Sequence, residues 1–333
     1  MEERFKQETN SLIRAWMRHD QKTLRDYLVQ DVEDPRINVQ SILTRHFLIK
    51  ALFGRQFNDL MPHELRFAIV ANWALGLLKK SVASHPLHCL LDALLDGRRN
   101  AESIEIPRYV LKTFQALVLP NYICDFLSLS SAETIDGTIP EYLLETFQKI
   151  WCELLAGQKA QRISVLEAAC GSANDYRFID AFGIARFLDY TGFDLCEKNI
   201  LNAKYMFPKT RFEVGNVIEI DAPDNAYDYC FTNDLFEHLS IDAIEVAIDE
   251  LCRVIRRKLC IGFFNMYDRK QHVLKPVGNY HYNALSIAAT KAVFKRYASR
   301  VQTIHIDRFL RSKFGCLDTH NKNAYTFIVT LRK

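Results

Sequence analysis

From Val165 to Asp175 the chain reads Val-Leu-Glu-Ala-Ala-Cys-Gly-Ser-Ala-Asn-Asp. Apolar Ile163, Val165 and Leu166 lead to one acid, Glu167. Ala169, Gly171 and Ala173 then place small side chains on alternate positions. Asn174 and Asp175 suit the first turn of a helix, where unpaired N–H groups favour acids. This is the layout of a nucleotide-binding strand, turn and helix, in which small residues let the main chain approach a ligand closely. Asp194 ends a second apolar stretch, Tyr190-Thr191-Gly192-Phe193-Asp194, at a distance along the chain that suits a carboxylate gripping a ribose. The acid in Asn174-Asp175 would repel a phosphate, so the ligand expected is phosphate-free. Further on, Tyr280-His281-Tyr282-Asn283 gathers aromatic and polar groups as a substrate wall would. Near the N-terminus, Asp34–Ser41, with Arg36 inside it, packs polar groups at a break between helices. That stretch reads either as a reach toward the site or as a helix cap.

The elements that position these residues fall into two rhythms. Residues 1–140 are spaced as helices: Phe5–Met17, Leu24–Leu28, Val39–Phe53, an apolar helix from Pro62 to Leu78, and short ones near Pro86–Leu95, Pro107–Leu117 and Pro120–Leu127. Leu129–Pro140 reads as a linker. From 141 the pattern alternates. An amphipathic helix, Glu141–Leu155, precedes strands at Ile163–Glu167, Ala185–Phe193, Arg211–Val214, Tyr227–Thr232, Lys258–Phe264, Val301–Ile306 and Ala324–Arg332. Helices fall near Asn174–Phe182, Glu197–Tyr205, Ile241–Ile255 and Ser286–Tyr297. Alternation of this kind predicts an α/β fold, a doubly wound, mainly parallel seven-stranded sheet. Its last two strands are expected as an antiparallel hairpin joined only by a loop. The domains predicted are 1–140, helical, and 141–333, ligand-binding.

The 333 residues carry a net charge of +3, unevenly spread. Residues 1–150 hold 18 basic and 19 acidic side chains, 151–252 hold 8 and 18, and 253–333 hold 17 and 3. Either the acidic middle and the basic end fold against each other, or the end offers a basic face to an anionic substrate or nucleic acid. The nine cysteines include no C-x-x-C pair, so reduced thiols and no metal site are expected. No apolar run reaches a membrane span, and the first residues lack signal-peptide shape, so the expected location is cytoplasmic.

Residues 141–333, most firmly 163–265, resemble the class I S-adenosylmethionine-dependent methyltransferase superfamily. Glu167–Ala173 looks like its acid-x-G-x-G-x-G loop, Asp194 like the acid ending the second strand, and Gly215-Asn216-Val217 like the motif after the third. Tyr227–Leu239 looks like the fourth strand with its loop, and Glu250–Arg257 like the helix leading into the fifth. Two loop glycines are replaced by Ala169 and Ala173, which disfavour positive φ, and Asn216 stands where an acid is more common. The resemblance implies S-adenosylmethionine as cofactor. It sets Glu167, Ala169, Gly171 and Ala173 beside the methionine moiety and Asp194 on the ribose. Leu195 would lie on the adenine face, Asn216 and Val217 at the adenine edge, and Asn233 and Asp234 near the methyl group. Cys170 reads as a small filler of the turn.

Methyl transfer needs alignment and a dry site, worth about 7–11 kcal/mol, with a general base only where the nucleophile starts protonated. Candidates for that base are His281, His238 and Asp234, with His305 and His320 behind them. Tyr280, Tyr282, Asn283 and Arg36 are candidate substrate contacts. The function expected is methylation of O, N or S of a small, possibly anionic, metabolite. The alternatives are an RNA or protein methyltransferase using the basic end, and a non-catalytic binding protein of the same fold. Nucleic acid is the less expected partner, no membrane is expected, and the helical region suits a lid or a homodimer interface.

Overall fold

A computed structural model describes residues 34–79, 87–102, 104–117, 139–277, 280–317 and 321–332. The helices expected at Phe5–Leu28 and Pro120–Leu127, most of the linker, and His320 lie outside the described residues. The chain divides into two units. One comprises Met1–Ile42, Phe57–Gly157 and Phe314–Leu317; the other comprises Leu43–Gln56, Gln158–Lys313 and Asp318–Lys333.

The first unit is mostly helical. Helix α1 (Val39–Phe53) begins in it, and α2 (Leu60–Lys79), α3 (Leu87–Leu95), α4 (Arg108–Gln115) and α5 (Ile139–Ala156) belong to it. A small antiparallel hairpin, β1 (Asn100–Ala101) and β2 (Ile104–Glu105), sits between α3 and α4. Its core joins α2 to α5. Phe67 packs on Phe147 with ring centroids 5.0 Å apart, and the buried Trp151 indole N–H donates to buried Glu64 at 3.2 Å. Helix α2 is therefore not purely apolar: it buries one acid, satisfied by one indole.

The second unit is built on seven strands. These are β3 (Ile163–Ala168), β4 (Leu188–Asp194), β5 (Arg211–Val214), β6 (Tyr227–Asn233), β7 (Ile255–Phe263), β12 (Ala298–His305) and β13 (Tyr325–Leu331). Their order across the sheet is β12-β13-β7-β6-β3-β4-β5, and only β13 runs against its neighbours. β3 is buried almost throughout, as a parallel strand covered on both faces must be. Helices α6 (Asn174–Ala181), α7 (Glu197–Met206), α8 (Ile241–Val254), α9 (Ile287–Lys295) and α10 (Ile306–Phe314) fill the crossovers. Helix α8 shows why such a sequence turns helical here. Ser240 caps it by accepting the Ala243 N–H at 3.3 Å, and Ile244, Ala247, Ile248, Leu251 and Val254 bury one stripe against the sheet. Short pairs complete the unit: β8 (Met266–Tyr267) with β11 (Leu285–Ser286), and β9 (Pro276–Val277) with β10 (Tyr280–His281).

One expectation fails. β12 and β13 do pair antiparallel, but they are not joined by a loop alone. Helix α10 intervenes, and β13 inserts between β12 and β7. The residues of α10 (Ile-Asp-Arg-Phe-Leu-Arg-Ser-Lys-Phe) bury only a narrow stripe, Ile306 and Leu310, so the helical period is hard to see among the charges.

The latter part of α1 counts with the sheet. There Phe47 sets its ring edge-on to Tyr229 at 5.7 Å, Phe53 does the same to Phe187 at 5.2 Å, and the buried Arg45 guanidinium lies 4.1 Å from the Phe182 ring. The acidic and basic segments interleave in this unit. Arg253 pairs with Glu250 and Asp224, Arg256 and Arg257 with Asp228, and Arg296 with Glu245 and Asp249. These pairs neutralise part of the opposite charge of the two segments.

Candidate functional site

β3 ends at Ala168, and the next five residues turn back on themselves. Ala169, Gly171 and Ala173 all take left-handed φ, at 57°, 55° and 63°. For an alanine this costs roughly 1–2 kcal/mol. The turn is held by main-chain bonds: Cys170 N–H to Phe193 O at 2.9 Å, Ala173 N–H to Cys170 O at 3.0 Å, and Arg177 N–H to Ala173 O at 2.9 Å. Ala173 and Cys170 are buried, so the small side chains fill the inner side of the turn. Burial, then Glu167 and Asp194, push the Cys170 thiol far up, which makes it inert filler.

The turn is tied to the end of β4. Gly171 N–H donates to Asp194 Oδ2 at 2.9 Å. Asp194 Oδ1 accepts from Cys196 N–H at 2.9 Å and from the Asn199 amide at 3.1 Å. Asn199 in turn receives the Ser172 hydroxyl at 3.3 Å. Leu195, the next residue after the acid, is 72% exposed, an apolar side chain with no apolar cover. After β5, Asn216 Oδ1 accepts from Ile218 N–H at 3.2 Å, so its amide oxygen caps a turn. Val217 is buried in the core.

Four acids lie at the carboxyl ends of β3 and β6 and at the start of α6. Tyr190 donates a short hydrogen bond to Glu167 Oε2. Gly192 leaves room for it: a methyl added there would stand 2.6 Å from the Tyr190 hydroxyl. Burial, then the Asp175 charge, push Glu167 well above the carboxylate range, and the Tyr190 bond only partly offsets this. Asn233 donates its amide to Asp175 at 2.9 Å. Asp234, at a φ of 56°, is exposed, and desolvation by its neighbours, then the Asp175 charge, raise its carboxyl to about 7. Glu237 is fully buried. Its Oε1 accepts from Phe264 and Asn265 N–H at 2.8 and 3.0 Å, and its Oε2 has no partner. Burial and Asp234 raise it to about 8.

The same loops bring aromatic groups together. His238 Nδ1 lies 2.9 Å from the His281 carbonyl, which can only accept, so Nδ1 carries the hydrogen and Nε2 the lone pair. Phe264 stands 5.5 Å from the His238 ring and 5.1 Å from the half-exposed Tyr282 ring. His281 thus enters through its carbonyl. Asn283 is fully buried. Its Oδ1 accepts from Lys275 N–H at 3.0 Å and its amide donates to Leu239 O at 2.6 Å, so it holds the loop together and presents nothing to a ligand. Tyr280 lies on β10 beside these residues. Arg36 belongs to the first unit, where buried Asp34 clasps its guanidinium at 2.6 and 3.0 Å. His305 caps α10, its Nδ1 accepting from Arg308 N–H at 3.0 Å.

Residues 165–258 match the model of a methyltransferase domain family. They span the turn, Asp194, Asn216 and the Asn233–His238 loop, in the order the sheet requires. The chain carries a methyltransferase domain over these residues. Its cofactor is S-adenosylmethionine. Among solved structures this methyltransferase is similar to S-adenosylmethionine-dependent methyltransferases from Mesorhizobium loti (12% identity, 55% of this chain and 97% of that one, TM-score 0.40) and Methanosarcina mazei (13%, 54% and 96%, 0.39). It is also similar to a TehB-like methyltransferase from Corynebacterium glutamicum (16%, 64% and 97%, 0.37). Likeness at these scores adds nothing to the strand order. No curated protein matches.

The methyltransferase site fits its cofactor's chemistry. The small-residue turn leaves the main chain bare, Leu195 offers an uncovered apolar face, and the acids suit a sulfonium and an ammonium. Sequence reasoning missed Tyr190, Asn199 and Phe264. Asn199 could have been found as the polar residue one helical turn into α7, on the face nearest Asp194. Tyr190 pairs in register with Val165, two residues from Glu167, a relation that only the strand alignment reveals. Among the described residues no His, Cys, Asp or Glu cluster could hold a metal, and no helix is long and apolar enough to cross a membrane.

Proposed function

We propose that this methyltransferase acts on O, N or S of a small molecule. The observation that carries the reading is the exposed Asp234 carboxylate at the end of β6, on the same loops as the His238, Phe264 and Tyr282 rings. A few polar groups set among aromatic rings suit a metabolite better than a polymer. The interleaved ion pairs also take up Arg256, Arg257 and Arg296, part of the charge that a nucleic-acid face would use.

When bound, S-adenosylmethionine supplies a methyl group already activated on a sulfonium. The Ala169–Ala173 main chain and Glu167 hold the methionine end, Asp194 the ribose, and Leu195, Asn216 and Val217 the adenine. Asn233 and Asp234 border the methyl group. His238, oriented by the His281 carbonyl, and Asp234 are the groups able to take a proton, and Tyr282 walls the acceptor, with Tyr280 a further candidate contact on β10. Three of roughly four acceptor positions on the Asp194 carboxylate are filled from the chain, so a ribose that bonds through both hydroxyls displaces the Asn199 amide. Residues 1–140 serve as lid or dimer interface, and 141–333 as the cofactor-binding domain. The eight described cysteines are all free, which suits a reducing cytoplasm.

The test is calorimetry with S-adenosylhomocysteine, followed by assay of its formation from S-adenosylmethionine with metabolite, RNA and protein fractions separated from one another. Turnover in the metabolite fraction supports the reading. Turnover confined to RNA or protein replaces it, and absence of cofactor binding points to a non-catalytic relative.

A further inference from the structure

On the reading that this site methylates a small molecule, we infer that the acceptor is an amine, held as its ammonium by the Asp234 carboxylate against the wall formed by His238, Phe264 and Tyr282. Asp234 also takes the proton the amine must lose.

Several observations converge on this. Among the described residues no hydrogen-bond donor or cation reaches the Asp234 carboxylate. The charge that acts on it is the like charge of Asp175, and it acts in turn on Glu237. The other acids near it have partners: Asn233 for Asp175, Tyr190 for Glu167, and two N–H groups for Glu237 Oε1. Asp234 is the one left open, and it faces a space that solvent reaches. An ammonium brings three donors and a positive charge to such a site, whereas a carboxylate or phosphate acceptor would add to the repulsion. The possibly anionic acceptor expected from the sequence fits these acids poorly.

The aromatic wall gives the second half of the recognition. His238 follows Asp234 by four residues, at the end of the 3₁₀ turn Phe236–His238. Phe264 and Tyr282 stack beside His238, and Tyr282 keeps 44% of its surface exposed. Aromatic faces beside a carboxylate attract a cation and cover an apolar substituent. The raised carboxyl of Asp234 suits exchange of a proton near neutrality. In the reaction the ammonium proton passes to Asp234. The nitrogen lone pair then forms the N–CH₃ bond as the S–CH₃ bond breaks, and that bonding pair stays on sulfur.

The test uses the full chain saturated with S-adenosylhomocysteine and two probes of matched shape, phenethylammonium and phenylacetate, titrated by NMR or calorimetry. The ammonium is expected to bind about tenfold tighter than the carboxylate. In Asp234→Asn, again saturated with S-adenosylhomocysteine, the preference should fall to near parity. Asparagine tolerates the left-handed main chain at this position, so folding is kept. Equal or tighter binding of phenylacetate overturns the inference. So does a preference that survives in Asp234→Asn, or the binding of neither probe. If S-adenosylhomocysteine itself fails to bind the wild type, the underlying site assignment falls, a result distinct from loss of charge preference alone.

Discussion

Gly171 N–H donates to Asp194 Oδ2 at 2.9 Å, and that one bond ties the turn after β3 to the end of β4. Asp194 therefore shapes the turn, and in the proposed site it also receives the ribose. Asp194→Ala is expected to weaken S-adenosylhomocysteine binding by about 100-fold or more and to lower the unfolding temperature of the ligand-free protein. Calorimetry and thermal unfolding measure the two losses separately. Near-normal affinity in this variant would mean that another residue grips the ribose.

Ala169 and Ala173 sit where glycine is at ease. Replacing either by Gly relieves roughly 1–2 kcal/mol of strain and returns roughly 0.5–1 kcal/mol of unfolded-chain entropy. Each variant should be as stable as the parent or more so, by up to about 1 kcal/mol. Valine at either place should destabilise by more than that gain. Denaturant unfolding distinguishes these outcomes, and a clear loss in both glycine variants would refute the strained geometry.

Gly192 makes room for the Tyr190–Glu167 bond. Gly192→Ala is expected to push the tyrosine aside and leave a buried carboxyl without its donor, at a cost of about 2–3 kcal/mol. Tyr190→Phe should cost less, since it removes the donor without adding bulk. Equal effects from the two variants would show that space at Gly192 is not the constraint.

Stability should depend on pH through Glu237 and Asp234. Burial raises the first to about 8, and burial with Asp175 raises the second to about 7, against ordinary values of roughly 4.3 and 3.9 when unfolded. Between those limits the folded chain binds more protons than the unfolded chain, so stability falls as pH rises from about 4 to 8. Glu237→Gln should flatten much of that fall. Unfolding temperatures that instead rise across this window would contradict the assignment.

Asn283 bonds to Lys275 and Leu239, while Asn265 donates to the Asn283 carbonyl at 2.8 Å. Asn283→Ala should cost about 2–4 kcal/mol by stranding buried backbone groups. S-adenosylhomocysteine affinity should stay close to the parent's, because the proposed cofactor contacts lie elsewhere. A selective loss of cofactor binding without loss of stability would put Asn283 back among the ligand contacts.

The sheet was legible because burial on both faces writes apolar runs into β3, β4 and β6, and because small residues must follow β3. Asn216 and Asn283 were harder. An amide can cap a turn, brace a loop or face a ligand, and its type alone does not say which. The Asn216 oxygen went to Ile218 N–H, and the Asn283 amide went to loop main chain. Helix α10 escaped notice because its buried stripe is two residues wide. The open carboxylate of Asp234 was invisible for a different reason. Its partners, or the lack of them, come from loops far apart in sequence.

β13 is the latest of the seven strands in sequence but lies one place in from the edge, between β12 and β7. Order of synthesis and order in space thus diverge here. Until residues 325–331 leave the ribosome, β7 presents a bare row of N–H and C=O groups, and β12 has no place to dock. An unfinished edge of this kind invites pairing with other chains. The nascent protein is therefore exposed to misassociation until β13 emerges, with β3, β4, β5 and β6 already made.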